Sequence, residues 1–273
     1  MNPVVLSSSL DSMPPRVASG AGNRAPRHWR IALALGGVGL VAVLLLMPYL
    51  FALLPDLSEK IRIPLPTFIA AQSLQAGILV TLLGWAGLRM GYPNGLDARY
   101  LRISLDAGTA WVAPPRWMLA CVLGCVVALA CVVFSILSPL SAPASLSHPP
   151  AWWRGLLASA YGGVVEEVLC RLFMMSLLVW ILARVFSASK VPAGVFWAAN
   201  VAAALIFGAG HLPALAQMHA LTSANVVQVV ALNGICGIVY GWLFWHRGLE
   251  HAIAAHFSTD IVLHLLAPLL HSA

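Results

Sequence analysis

Two adjacent acids mark where this chain could do chemistry. Glu166 and Glu167 lie inside an apolar stretch and are followed by Arg171, so three ionisable groups share less than two helical turns. Later apolar stretches carry His211, at the end of Phe207-Gly-Ala-Gly-His211, and the run His256-Phe-Ser-Thr-Asp260. On a helix Glu167 and Arg171 are four apart with the acid on the N-terminal side, the favourable orientation for an ion pair. Glu166 then points about 100° away. One glutamate is neutralised while its neighbour stays available. A carboxylate in a low-dielectric pocket holds its proton to higher pH, which suits a general base that must take a proton from water near neutrality. His256 and Asp260 are one turn apart, can face one cavity and can bond to one another. An acid pair can also simply stitch helices together, and a lone histidine in a membrane helix is as readily an interhelical hydrogen-bonding group as a catalyst. Here three separate segments each supply such groups. Because intramembrane polar side chains turn toward the bundle interior, Glu166, His211, His256 and Asp260 are expected to converge.

The elements that must hold these residues are membrane helices. The chain is 60% hydrophobic and 9% charged, with a mean hydropathy of +0.88, whereas a soluble domain carries about 25% charged residues. The apolar residues gather into seven spans of about the 20 residues a hydrocarbon core demands. These run Ile31 to Leu54, Thr67 to Leu88, Trp117 to Leu137, Leu156 to Leu182, Ala193 to Leu212, Val226 to Trp245 and Ala252 to Leu270. The expected fold is an all-α polytopic transmembrane bundle. Residues 1–30 form a polar, basic tail expected to be disordered, residues 31–151 the N-terminal transmembrane helices, and residues 152–273 the core that carries the ionisable groups. The first span is too long for a signal-peptide core and lacks a convincing cleavage site near Pro55, so it is read as a retained helix. Charge inside such spans is costly, roughly 2.5–3.5 kcal/mol per residue at the bilayer centre, so Glu166, Glu167 and Arg171 call for a gain in pairing or function.

Orientation follows the short-loop lysines and arginines. With the N-terminal tail in the cytoplasm, eleven of the fifteen fall on that side; Lys60, Arg62 and Arg154 fall outside and Arg171 within the membrane. The basic pI near 9.4 therefore needs no nucleic-acid partner, since the cations are spread over loop ends rather than gathered in a stripe. Tryptophans 29, 85, 117, 152, 153, 180 and 245 lie near span ends, at headgroup level. The five cysteines lie within spans and imply no disulfide framework. Cys121 and Cys125 share a helix face, which is far commoner as apolar packing than as a metal site. Gly237 and Gly241 form a small-xxx-small pair that permits close helix packing.

Taken together, Glu166-Glu167-x-x-x-Arg171, Phe207-x-x-x-His211 and His256-x-x-x-Asp260, in that order on consecutive hydrophobic segments, resemble the CPBP family of membrane proteins, the CAAX proteases and bacteriocin-processing enzymes, also called ABI proteins. The resemblance covers roughly residues 152–270. It implies a glutamic-type intramembrane endopeptidase acting on a membrane-associated protein or peptide. Carried over residue by residue, Glu166 would activate the attacking water with help from His211, and His256 would stabilise the oxyanion. Glu167 and Arg171 would hold the first glutamate in place. The commoner family pattern has asparagine where this chain has Asp260. An ionised aspartate cannot donate to an oxyanion, so Asp260 is either protonated or orients and charges His256 as the acid of a catalytic triad does; the second is favoured.

Several alternatives accompany this reading. Two histidines and an acid could ligate zinc and leave one position for water, although the compact His-Glu-x-x-His arrangement is absent; the resemblance favours a metal-free site with no cofactor. A non-catalytic membrane adaptor or immunity protein of the same fold would carry the same helices. A proton-coupled transporter would also bury such groups, but repeated halves are not found. Spans five and seven run the same way, yet His211 ends one and His256 begins the other, an offset of roughly 15 Å in depth. That offset requires span five to begin later and run through Pro213, or span seven to start outside the core. Compact size and the family's distribution suggest a bacterial inner membrane.

Overall fold

A computed structural model describes residues 27–107, 113–137, 150–186, 191–218 and 221–271, and among these every regular element is helical. The first helix, α1 (His28–Leu53), is followed by α2 (Leu65–Gly91), a short α3 (Arg99–Ala107) and α4 (Trp117–Leu137). Next come α5 (Trp152–Val185), α6 (Ala193–Gly210), α7 (Leu212–Met218), α8 (Ser223–Arg247) and α9 (Leu249–His271). Six helices are long and apolar enough to cross a bilayer: α1, α2, α4, α5, the α6–α7 stretch Ala193–Gln217, and α8. The seventh, α9, is 23 residues long. The chain is an integral membrane protein with an all-α, polytopic architecture.

Helix ends follow local chemistry. Pro66 lies in the first turn of α2, where the missing N–H costs nothing. Thr222 caps α8 by accepting from the Asn225 N–H at 3.2 Å, and Gly248, at φ +100°, ends it, a backbone conformation that favours glycine. Most spans begin and end within a few residues of the hydropathy reading; α1 starts at His28, inside the segment read as tail, and the rest of that tail, with His148 and His219, lies outside the described residues.

The central element is α5, which packs against α1, α2, α6 and α9. Lipid tails supply no hydrophobic force between helices, so small residues that let backbones approach do much of the work. Gly87 of α2 lies against the backbone of Leu172 in α5, and Gly124 of α4 against that of Ala255 in α9. Gly208 of α6 has Val230 O of α8 only 2.6 Å from where a Cβ would stand. The outward faces are apolar, as in Leu74, Ile78 and Leu82 of α2 and Met118, Val122 and Val126 of α4; a helix hydrophobic on all sides is one solvated by lipid.

The short amphipathic α3 has no counterpart among the expected spans. Glu250 at the start of α9 accepts the Tyr100 and Leu101 N–H groups, both at 2.9 Å, satisfying donors a helix start leaves open. Arg102 grips Asp97 through two contacts of 2.7 Å and lies 4.6 Å over the Tyr92 ring. The first turn of α9 is thus held by α3 and by the Leu249 N–H bond to Asp97 O at 3.1 Å. This start against α3 bears on the expected depth offset between His211 and His256.

Candidate active site

The middle of α5 is not an ordinary α-helix. Tyr161–Glu166 and Val168–Met175 are wound as π-helix, in which hydrogen bonds run from i to i+5 and the turn is wider. Gly162 and Gly163 open this segment, and it ends beside Gly87 of α2. Such wide turns recur at functional sites, and this one carries Glu166, Glu167 and Arg171.

Glu167 and Arg171 are buried, with side-chain exposures of 0% and 1%, and form an ion pair at 2.9 Å. The same Glu167 Oε1 accepts from His256 Nδ1 of α9 at 2.7 Å. A carboxylate accepts only, so Nδ1 bears the proton and Nε2 is turned to the other side of the ring. On that side stand Glu166 Oε2 and Asp260 Oδ1, each 3.7 Å from Nε2. Their side chains keep 22% and 20% of their surface. The imidazole therefore bridges a sealed acid–arginine pair and a pair of partly open carboxylates. Asp260 sits on the Nε2 side, and Glu167 occupies the orienting position at Nδ1.

Gly162 makes room for this bridge. A Cβ there would run into Asp260 Oδ2 and stand 3.1 Å from His256 Nε2. Gly237 of α8 does the same for the cation, since its Cβ would lie 2.9 Å from Arg171 Nη2. Gly241 gives way to Asn200 of α6, which donates to Ile238 O at 3.0 Å and ties α6 to α8 beneath the site. The glycine pair read from the sequence as a packing motif thus admits two polar side chains.

His211 follows the last residue of α6, and its Nδ1 donates to Phe207 O at 2.9 Å, so Nε2 is the ring nitrogen left for another partner. No hydrogen bond or ion pair joins His211 to Glu166 among the described residues. Phe207 links it to the rest: its ring is 4.8 Å from His211, 5.6 Å from His256 and 4.5 Å from the Arg171 guanidinium. His211 and His256 therefore meet a common ring; α6 ends at Gly210, and beyond the single turn residue His211 the span continues as α7 through Pro213 to Gln217. Tyr240 of α8, which the sequence reading passed over, stacks on His256 at 4.6 Å and 18° and lies 5.2 Å from Arg171. One turn beyond Asp260, His264 packs on Ser159 at 3.3 Å and on Gly155.

Among the described residues no three His, Cys, Asp or Glu side chains form a metal-ligating group. Glu167 Oε1 and His256 Nδ1 are spent on one another and on Arg171, which leaves Glu166, Asp260 and the Nε2 atoms of His256 and His211 as the unspent donors of the site.

No curated protein and no solved structure shows significant similarity to the chain. The family model described as type II CAAX prenyl endopeptidase Rce1-like matches residues 148–262, the stretch that runs from just before α5 to just past Asp260. Over that stretch, rather less than half of the chain, the sequence is similar to the CPBP/CAAX protease family.

Proposed function

We propose that the protein hydrolyses a peptide bond of a membrane-associated protein or peptide by a metal-free glutamic mechanism. The observation that carries this reading is the division of labour between the two glutamates. Glu167 is locked to Arg171 and His256, whereas Glu166 has no partner within hydrogen-bonding range among the described residues and keeps part of its surface open. A base must reach water, and only Glu166 of the two can.

In the proposed sequence Glu166 takes a proton from water, and the hydroxide adds to the scissile carbonyl carbon. His211, whose Nε2 is left for another partner, holds the same water from the α6 side. The oxyanion that forms accepts from His256 Nε2–H, a donor held in place by Glu167 at the opposite nitrogen. One preorganised donor of this kind is worth about 2.7–4 kcal/mol. The C–N bond then breaks as Glu166 returns its proton to the leaving nitrogen, giving one carboxylic acid and one amine, which exchange a proton to carboxylate and ammonium, and restoring the base. Arg171 stays charged throughout and keeps Glu167 ionised. Asp260 would face the reacting centre from the Nε2 side and favour a protonated His256.

The substrate that the family's description names, a prenylated CAAX tail, is one candidate class; the loop sequences of this chain carry no mark of a lipid-modified partner. The lysine and arginine asymmetry supports a cytoplasmic N-terminus; the bacterial inner membrane is proposed on the compact size of the chain and the distribution of the family it resembles. The test is cleavage of membrane-associated peptides, prenylated and plain, by the detergent-purified protein and by His211→Ala, with and without a strong chelator. Cleavage that survives chelation and falls at least about tenfold in the variant supports the proposal. Loss on chelation would move the reaction to a metalloprotease, and undiminished cleavage by His211→Ala would remove that residue from the mechanism.

A further inference from the structure

The catalytic imidazole is held by a ring that belongs to none of the three motifs. Tyr240 is 1% exposed and sits on α8, which contributes no titratable group to the bridge between the acids. Its ring lies nearly parallel to His256, with centroids 4.6 Å apart and 18° between planes, while Phe207 meets the same imidazole edge-on at 85°. The Arg171 guanidinium lies over both rings, at 4.5 Å from Phe207 and 5.2 Å from Tyr240. Two aromatic rings on two helices thus bracket both cationic partners of Glu167.

A hydrogen bond at Nδ1 fixes one edge of an imidazole but leaves the ring free to swing about that contact. A parallel aromatic face removes this freedom, because turning the ring out of plane drives it into the neighbour. The negative face of the tyrosine also favours the charged, donating form of the histidine, as it favours the guanidinium beside it. We propose that Tyr240 is a positioning residue whose ring sets the plane of His256, so that Nε2–H is aimed at the oxyanion while Nδ1 stays on Glu167. This rests on the reading of His256 as the oxyanion donor. The remaining groups around the imidazole are Glu166, Glu167 and Arg171 of α5, Asp260 of α9, and His211, just past the end of α6, across Phe207.

The test uses the full chain in detergent micelles with Tyr240→Leu, Tyr240→Phe, Glu166→Gln and, as a second ring-free variant, Tyr240→Met. Peptide cleavage is followed with pH, and the imidazole nitrogens of His256 are followed by 15N resonance. Loss of the ring should lower kcat about tenfold to a hundredfold, as a small misplacement of a reacting group does, with KM changed less than about threefold. It should also move the titration of His256 and the matching limb of the pH profile. Tyr240→Phe should restore both to within about threefold of the parent. A ring-free variant with the parent's kcat and His256 titration would overturn the inference, as would a phenylalanine variant as impaired as leucine. A fully active Glu166→Gln would instead sink the glutamate mechanism, and the 15N titration would still report whether Tyr240 governs His256.

Discussion

Replacing Arg171 by leucine should cost more than any other single change in the core. The guanidinium is 1% exposed and is the permanent cation paired with Glu167, which has no exposed surface. Removing one partner of a buried ion pair strands the other charge, and such changes cost about 3–5 kcal/mol. The two ring contacts at 4.5 and 5.2 Å are lost as well, each worth about 0.5–2 kcal/mol, partly offset by the packing of the leucine. Adding Glu167→Gln removes the stranded charge, so the double variant should regain at least about 2 kcal/mol of that loss. It should not regain cleavage, because a neutral amide in place of the carboxylate would hold His256 without a charge to keep it protonated. Stability would be read from reversible unfolding in mixed micelles, followed by far-ultraviolet circular dichroism as the denaturing detergent fraction rises. A single variant within about 1 kcal/mol of the parent, or a double variant no more stable than the single, would refute the view that the pair is held by mutual charge compensation.

Three further outcomes follow from the same geometry. Gly162→Ala should keep the helix content but lower stability by about 1–3 kcal/mol, the usual cost of overpacking; cleavage should fall at least about tenfold, because the new methyl intrudes between Asp260 and His256. Gly237→Ala should lower stability by about 1–3 kcal/mol, the usual cost of overpacking, as its methyl meets Arg171 and Ala204 at 2.9 Å; Tm measures this directly. Glu250→Ala should cost about 1–2 kcal/mol, as loss of a helix cap does, and should speed hydrogen exchange at the Tyr100 and Leu101 amides.

The spans were legible because a hydrocarbon core imposes a length on every helix that crosses it, and the apolar runs from α1 to α9 obey that length. The α3 helix was not, since Arg99–Ala107 is short and half polar and takes its stability from Glu250, some 150 residues away. Nor does any residue pattern announce the π-winding of residues 161–175; the Gly162-Gly163 pair permits it without requiring it. Within the site, the Glu167–Arg171 contact could be read from a spacing of four. The bond between Glu167 and His256 could not, because it joins residues 89 apart whose meeting depends on how α5 and α9 pack. Spacing alone therefore offered Asp260 as the neighbour of His256 and left the Nδ1 partner unseen. Tyr240 was hidden for another reason. One aromatic ring in an apolar span reads as core until the imidazole it stacks on is in place.

The most direct test of the central claim is the cleavage rate of Glu166→Gln against the parent on the same membrane-associated peptide, with both proteins shown to be equally folded. Glutamine keeps the size of the side chain and cannot take the proton from water, so the rate should fall by about a hundredfold or more. A variant that cleaves as fast as the parent would show that Glu166 is not the base and would contradict the mechanism.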